Sequence, residues 1–166
     1  MSGFAELLHD NGFDVCGSDI KESKITRHLS SSGIHIIYGQ SASNITSDIG
    51  FIVYTAAIHP DNPEFIAAKK LGIPMMERAE MVGQVMKNYP NAIAVAGTHG
   101  KTTTSSMAAH ILASSPVGCN AFLGGILRNY DSNLILCPAS PFTVIEAAEY
   151  DRSFHHLEPY IAVVTA

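Results

Sequence analysis

Residues 92 to 106, AIAVAGTHGKTTTSS, constrain the fold of this chain more than any other segment. An apolar run leads into a glycine-rich stretch and then a lysine and a threonine, which is the order of a phosphate-binding loop between a strand and a helix. The spacing is shorter than the usual G-x-x-x-x-G-K-[ST], because position 95 is valine and the nearest glycine is Gly97. The segment predicts a strand over 92–96, a phosphate loop of a distinct type and a helix over about 101–113.

The chemistry of this loop follows from its glycines and from the helix behind it. Glycine permits positive φ, which turns backbone N–H groups inward, and the helix N-terminus adds partial positive charge. Lys101 can reach the β- and γ-phosphates, and the hydroxyl of Thr102 can bind Mg²⁺. The alternative is a glycine turn that only caps a helix, and His99 either touches nucleotide or only supports the turn. The residues predicted to bind ATP are Gly97, Thr98, His99, Gly100, Lys101, Thr102 and Thr103.

A second acidic residue is expected near the metal of a P-loop ATPase, at the end of a neighbouring strand. Glu146 in VIEAAEYD ends an apolar run and is the candidate. Its alternative role is that of an ordinary solvated glutamate at the end of a strand. Because the phosphate loop is present, we predict that Thr102 and Glu146 hold Mg²⁺ and that Lys101 and Glu146 are the catalytic residues.

Composition narrows the function classes. The 166 residues are 46% hydrophobic and 15% charged, which is enough to bury a core, and the formal net charge of −5 gives no basic footprint for nucleic acid. The three cysteines form no C-x-x-C pair, which argues against a disulfide scaffold or a zinc site and favours the cytoplasm. No apolar run is long enough to insert into a membrane. The adjacent His155 and His156 indicate surface histidines and not a metal site.

Helix and strand patterns alternate along the first half, which predicts a parallel sheet with helices on both faces. The polar segment KNYPN marks a domain boundary between residues 1–89 and 90–166. FTVIEAAEY and YIAVVTA are predicted as two further buried strands. The predicted class is α/β, a Rossmann-like parallel-sheet domain followed by part of a P-loop ATPase domain. A helix at the first residue and a strand at the last are both typical of a segment of a longer polypeptide.

Two segments of the first half follow predicted strands, at the edge where α/β sheets bind ligands. Asp19 follows the strand DVCGS, a place where an acid commonly binds a ribose hydroxyl. The helix that begins at Met1–Gly3 lies at about the distance upstream that a glycine fingerprint requires. TAAIHPDN, from Thr55, follows FIVY and either binds ligand or only connects two elements.

Together these segments resemble the Mur ligase family, which forms ATP-dependent amide bonds in peptidoglycan synthesis. The segments that carry the resemblance run in family order along the whole chain. They are MSGFAELL, GSDI, TAAI..DNPE, GIPMMERAEM, AVAGTHGKTTT, FLGG, EAAEYDRSF and YIAVVTA. GTHGKTTT with ERAEM is specific to the alanine-adding branch and its muropeptide-recycling relative. One position departs from the family's E-A-D-E pattern, because Ala148 stands where an aspartate is usual.

The resemblance implies a first domain that binds a UDP-sugar, a central ATPase domain and a third domain absent from this chain. It implies UDP-N-acetylmuramate and L-alanine as substrates, ATP and Mg²⁺ as cofactors, and an inactive fragment. Alternatives are a ligase that joins a tripeptide in place of alanine, a nucleotide-binding module without catalysis, and a plain P-loop NTPase. The residues that the resemblance places on the UDP-sugar are Met1, Ser2, Gly3, Ser18, Asp19, Thr55, Ala56, Ala57, Ile58 and Arg78. For Arg78 a structural role is the equal alternative.

Overall fold

The structure is a computed structural model that describes residues 1–147 and 153–166. It divides the chain into two compact units, Met1–Arg78 and Ala79–Ala166. Both units combine helices with parallel strands, so the predicted α/β class is confirmed. The division falls ahead of the KNYPN segment, because the helix that precedes this segment packs with the second unit. Gly83 of that helix lies against the backbone of His156, where an added Cβ would be 2.2 Å from the carbonyl oxygen.

The first unit contains two pairs of parallel strands, β1 with β2 and β3 with β4. Asp19 at the end of β1 is paired with Tyr38, and Tyr54 at the end of β3 is paired with Glu77. Its elements, in chain order, are α1 (Ser2–Asp10), β1 (Cys16–Asp19), α2 (Lys24–Ser31), β2 (His35–Tyr38), a short 3-10 helix (Ala42–Asn44), β3 (Ile52–Tyr54), α3 (Pro63–Leu71) and β4 (Met75–Glu77).

Local sequence signals explain where α3 begins and ends. The side chain of Asn62 accepts hydrogen bonds from the backbone N–H groups of Glu64 and Phe65, at 2.9 and 3.2 Å. Proline occupies the first helical position, where its missing N–H costs nothing. Gly72 ends the helix in the left-handed conformation, with φ of 69°. These three signals are readable in the sequence, and the predicted helix is confirmed.

The second unit is built on one five-stranded sheet with the order β7-β6-β8-β5-β9. β6 and β7 are antiparallel, and the other neighbours are parallel. Its elements are α4 (Arg78–Met86), which begins at the last residue of the first unit, β5 (Asn91–Gly97), α5 (Lys101–Ala113), β6 (Asn120–Leu127), β7 (Ser132–Ile135), β8 (Phe142–Glu146), a short 3-10 helix (Ser153–His156) and β9 (Ile161–Thr165).

The core of the second unit lies between α5 and the sheet. Ala109 of the helix is fully buried against apolar side chains of β6, β7 and β8. The buried members of this cluster are Ala109, Cys119, Ala121, Leu123, Leu127, Ile135 and Val144. This packing fixes the first turn of α5 over the carboxyl ends of the central strands. Within residues 1–147 and 153–166, none of the helices combines the length and apolar character of a membrane-spanning segment.

Two features of this sheet differ from the sequence prediction. The segment YIAVVTA forms β9, but β9 lies at the sheet edge and is largely exposed, with Val164 79% accessible, so the prediction of a buried strand was wrong. The hairpin of β6 and β7 was not predicted. Its antiparallel pairing is interrupted by a register shift between Phe122 and Leu127, which removes the regular alternation that identifies a strand.

Candidate functional site

The predicted phosphate loop joins the central strand β5 to the helix α5. β5 is hydrogen-bonded on both sides, to β8 and to β9, and Val95 within it is fully buried. α5 begins at Lys101 directly after Gly100, whose φ is 80°. A strand held on both sides and a helix packed on the sheet position the loop between them firmly. The predicted order of strand, glycine loop and helix is confirmed.

Only glycine fits at position 97. Gly97 has a φ of 128°, a conformation that L residues rarely adopt. An added Cβ would lie 2.2 Å from the backbone oxygen of Thr165 and 2.3 Å from its Oγ1. The shortened loop therefore keeps its first glycine for two reasons, since both the backbone angle and the neighbouring strand β9 exclude a side chain there.

The side chain of Lys101 folds back over the loop from which it emerges. Its Nζ donates hydrogen bonds to the backbone oxygens of Gly97 and Thr98, the second at 3.4 Å. Lys101 is half-buried as a residue, and its ammonium adds a full positive charge to the partial charge of the α5 N-terminus. A phosphate group at the loop would meet both charges. The loop residues Thr98, His99, Gly100, Thr102 and Thr103 are all exposed and accessible to a ligand.

The two residues predicted to share a metal are in direct contact. The Oγ1 of Thr102 donates to Oε1 of Glu146 at 2.9 Å. The other carboxylate oxygen, Oε2, accepts from the backbone N–H of Gly124, also at 2.9 Å. Glu146 is the last residue of β8 and is paired with Val95 of β5, which brings it to the edge where α5 begins. Three elements therefore fix the carboxylate beside the loop.

These oxygens suit Mg²⁺, a hard cation that proteins hold through one or two carboxylates while it keeps water and phosphate oxygens as its other ligands. One carboxylate and one hydroxyl meet that need at the mouth of a phosphate loop. Residues 1–147 and 153–166 contain no group of three or more acidic, histidine or cysteine side chains that could hold a metal by themselves. The donor set fits a metal that arrives with a nucleotide better than one in a closed protein cage.

Thr165, at the end of β9, holds the loop from its other side. Its Oγ1 donates to the backbone oxygen of Ala96 at 3.1 Å and also contacts that of His99. The backbone N–H of His99 donates to the oxygen of Ala166 at 2.8 Å. His99 therefore takes part in the turn through its backbone.

Sequence reasoning did not identify Gly124 and Thr165, although each left a signal. Thr165 lies at the carboxyl end of a predicted strand, and a position at a strand's carboxyl end is also what identified Glu146. Gly124 lies in the quoted segment FLGG, and an added Cβ there would be 2.7 Å from Oε1 of Glu146. The neighbouring residues Ala148 to Asp151, where the sequence departs from the family pattern, lie outside the described residues.

The residues predicted to face a UDP-sugar lie at helix and strand ends within the first unit. Met1 precedes α1, and Ser2 and Gly3 form its first turn. Asp19 is the exposed last residue of β1, and Thr55 to Ile58 form a turn after β3, closed by a 3.0 Å backbone hydrogen bond. Arg78 directly follows β4. Asp19, Thr55 and Arg78 therefore each lie at or just beyond the carboxyl end of a strand.

A further residue lies beside the end of β1. Glu64, in the first turn of α3, accepts a 2.6 Å hydrogen bond from the hydroxyl of Ser18 on Oε2. Its Oε1 accepts from the side-chain amide of Asn44, also at 2.6 Å. Asn62 donates to Oε1 of Gln40 at 2.7 Å. Glu64 lies within the segment DNPE, and the sequence did not predict a function for it.

A family model gives the observation that decides the classification. The model described as Mur ligase family, catalytic domain, matches residues 1–90. The chain belongs to the Mur ligase family. Its match ends just before β5, so the family model and the phosphate loop identify separate parts of the same chain.

Curated relatives within the Mur ligase family align along almost the whole chain. The UDP-N-acetylmuramate–L-alanine ligase of Agathobacter rectalis is 52% identical over 164 residues, which cover 99% of this chain and 36% of the relative. The enzyme of the same name from Lachnospira eligens is 48% identical, with the same coverage. The chain therefore spans about a third of the length of the curated relatives that it matches.

Solved structures of Mur ligases share the fold. The UDP-N-acetylmuramate–alanine ligase of Thermotoga maritima superposes with a TM-score of 0.90 at 33% identity, covering 99% of this chain and 38% of that one. The UDP-N-acetylmuramate:L-alanyl-γ-D-glutamyl-meso-diaminopimelate ligase of Neisseria meningitides gives 0.91 at 29% identity, covering 99% and 56%.

Proposed function

We propose that this chain is part of an enzyme that ligates L-alanine to UDP-N-acetylmuramate with ATP, a step of peptidoglycan synthesis. The observation that carries the proposal is the contact of Thr102 with Glu146 at a phosphate loop that also holds Lys101. The names of the curated relatives supply the substrates. The activity belongs to the whole protein, since the chain spans about a third of those relatives, and we expect the 166 residues alone to have no ligase turnover.

The two parts of the chain take different ligands in this proposal. Residues 1–89 bind the UDP-sugar through the helix and strand ends described above, and residues 90–166 bind ATP. We place the activity in the cytoplasm, because the three cysteines are free thiols, as a reducing compartment requires.

The reaction proceeds through an acyl phosphate. The lactyl carboxylate of UDP-N-acetylmuramate attacks the γ-phosphorus of ATP, and ADP leaves. The amine of L-alanine then attacks the acyl carbon, a tetrahedral intermediate forms, and phosphate leaves as the amide bond is made. Both steps build charge on oxygen and need no covalent protein nucleophile, so positioning and charge neutralisation carry the catalysis.

Residues of this chain supply that neutralisation. The ammonium of Lys101, already at the loop, stabilises the β- and γ-phosphate oxygens, and loop amides other than that of His99, which is bonded to Ala166, donate to them. Thr102 and Glu146 would hold Mg²⁺, which when bound neutralises charge on the phosphate oxygens. Gly124 holds the carboxylate of Glu146 in place through its N–H.

A chimera tests the proposal. Residues 1–166 replace the matching segment of the Agathobacter rectalis ligase, so that the relative supplies the remaining length. We expect phosphate release that requires both UDP-N-acetylmuramate and L-alanine, and its loss in the same chimera with Lys101→Ala. Phosphate release that needs neither substrate indicates a plain NTPase, and ATP binding without any release indicates a binding module. Either result contradicts the proposal.

The likeness to the Neisseria meningitides enzyme favours one second candidate, a ligase that joins a tripeptide in place of alanine. A parallel chimera with that enzyme separates the two. Restoration of turnover only in the alanine-ligase background supports our proposal. Restoration only in the Neisseria background supports the tripeptide ligase.

A further inference from the structure

Ser18 donates its hydroxyl hydrogen to the carboxylate of Glu64. The 2.6 Å distance from Oγ to Oε2 lies in the range of a charge-assisted O–H···O⁻ bond, which is about twice as strong as a neutral one. The carboxylate lies in the first turn of α3, where the helix dipole stabilises negative charge. Its second oxygen is held by Asn44 at 2.6 Å, which fixes the direction of the carboxylate.

This bond decides what Ser18 can offer to a ligand. A serine hydroxyl has one hydrogen to donate and two lone pairs that accept. Because Glu64 takes the hydrogen, only the lone pairs remain, and Ser18 is exposed one residue before the end of β1. A ligand group that binds there must be an N–H or O–H donor.

The charge of Glu64 points in the same direction. A phosphate oxygen in contact with the Oγ of Ser18 would lie close to the carboxylate that this hydroxyl already binds, and like charges repel. It would also have to take the hydrogen away from Glu64. A neutral hydrogen-bond donor is not repelled by the carboxylate, and it leaves the bond between Ser18 and Glu64 intact. In a uridine nucleotide, such donors are the ribose hydroxyls and the N3–H of the base, and the diphosphate carries none.

We propose that Glu64 is a positioning residue that fixes Ser18 as a hydrogen-bond acceptor for a donor group of the nucleoside part of the bound uridine nucleotide. This inference rests on the proposed function, because that function supplies the uridine nucleotide. To that function it adds that Ser18 accepts a hydrogen bond from the ligand, and that Glu64 determines this role.

Ligand analogues that lack one donor provide the test. The 166-residue chain is titrated with UDP and with its 2′-deoxy, 3′-deoxy and N3-methyl analogues, which separate the two ribose hydroxyls from the base. We expect one analogue to bind about 3- to 10-fold more weakly than UDP, the range for the loss of one hydrogen bond. In Ser18→Ala that ratio should fall below about twofold, since the acceptor is gone.

Glu64→Gln tests the role of the carboxylate itself. A glutamine amide can donate to Ser18, which frees the serine hydrogen and removes the strict acceptor role. We expect the same analogue ratio to shrink in Glu64→Gln and to remain unchanged in Ser31→Ala, an exposed hydroxyl that donates only to its own helix at 2.7 Å. Thermal unfolding checks that each variant is folded, and Ser18→Ala carries the test if Glu64→Gln is not.

The outcomes separate this inference from the proposed function. UDP binding with the analogue ratios unchanged in both variants overturns the inference alone, and it leaves Glu64 a merely structural residue. A loss in Ser18→Ala that affects UDP but not uridine shows that Ser18 contacts phosphate, which also overturns it. No saturable UDP binding by the folded wild-type chain contradicts the proposed uridine-nucleotide site, and the inference falls with it.

Discussion

The hydroxyl of Thr102 donates a 2.9 Å hydrogen bond to Oε1 of Glu146, although the two residues are 44 positions apart in the chain. One belongs to the first turn of α5 and the other ends β8. The contact exists because β5 and β8 are parallel neighbours with Val95 opposite Glu146, so their carboxyl ends share one edge. The helix that follows β5 therefore starts beside the acid that ends β8.

Replacing Thr102 with valine removes the hydroxyl and keeps the shape of the side chain. We expect the gain in ATP affinity that Mg²⁺ provides to fall by about 10- to 100-fold, the range for the loss of a group that holds or orients a metal ligand. Calorimetric titration with ATP, in Mg²⁺ and in EDTA, measures this gain.

The matched control is Thr104→Val, the same substitution two residues further along α5, at a half-buried position. Its Mg²⁺ dependence should equal that of the wild type. If the gain in ATP affinity from Mg²⁺ falls equally in both variants, valine disturbs the helix itself. That result would contradict a metal-binding role for the Thr102 hydroxyl.

Gly124→Ala is expected to displace the carboxylate of Glu146. The added Cβ would lie 2.7 Å from Oε1 and 2.8 Å from Oε2, closer than real side-chain contacts allow. The carboxylate has to leave the position in which it contacts Thr102, so the Mg²⁺ dependence of ATP binding should weaken. Because the contacted atoms are the far end of a flexible side chain and Gly124 is exposed, the free energy of unfolding should change by no more than about 0.5 kcal/mol, which thermal unfolding checks.

Gly50→Ala is the control for the glycine substitution, because an added Cβ there meets nothing within 4 Å. Its folding and its Mg²⁺ dependence should match the wild type. If Gly124→Ala also binds Mg²⁺-ATP normally, the contact of Gly124 with Glu146 does not matter for the metal.

Thr165→Val removes the hydroxyl that holds two carbonyl groups of the phosphate loop, those of Ala96 and His99. We expect ATP affinity to fall by about 3- to 10-fold as the loop loosens. Thr165→Ser keeps the hydroxyl and should restore most of the affinity. Equal affinities for the valine and serine variants would mean that the hydroxyl does not account for the effect.

Stability should fall at alkaline pH because of Cys119. Burial raises the pKa of this thiol to about 11, against an opposing backbone hydrogen bond from Val144. The unfolded thiol ionises near its ordinary pKa of 9.0 while the folded one stays protonated, so the unfolded state binds fewer protons between about pH 9 and 11. The contribution of Cys119 to the free energy of unfolding should drop by about 2 to 3 kcal/mol across that window and be constant below it.

Urea unfolding from pH 8 to 11 measures this drop, and Cys119→Ala is the comparison. Burial also raises the pKa of Tyr89, so part of the alkaline loss remains in the variant. The difference between the two curves belongs to Cys119. Parallel curves for the two proteins would contradict the buried, protonated thiol.

The phosphate loop and the pairing of Thr102 with Glu146 were predictable, because both follow from local order and one general rule. The glycines, lysine and threonine are adjacent in sequence, and α5 has the predicted bounds. The carboxyl ends of parallel strands meet at one edge, so an acid that ends one strand was expected near the helix that follows another.

The residues that sequence reasoning did not assign act through contacts made only by the folded chain. Gly124 matters because its N–H reaches a carboxylate 22 positions away, and Glu64 because it reaches a hydroxyl 46 positions away. Neither spacing has a periodic signal. β9 was predicted as buried because its residues are apolar, but burial depends on position in the sheet order, and β9 lies at the edge.

The affinity of the 166-residue chain for ATP, measured by calorimetry with and without Mg²⁺, tests the nucleotide site most directly when Glu146→Gln is measured beside the wild type. We predict saturable ATP binding that Mg²⁺ strengthens in the wild type. The variant should still bind ATP through the loop and Lys101 but should lose most of the Mg²⁺ effect. No ATP binding by the folded wild-type chain, or an equal Mg²⁺ effect in both proteins, would contradict the site described here.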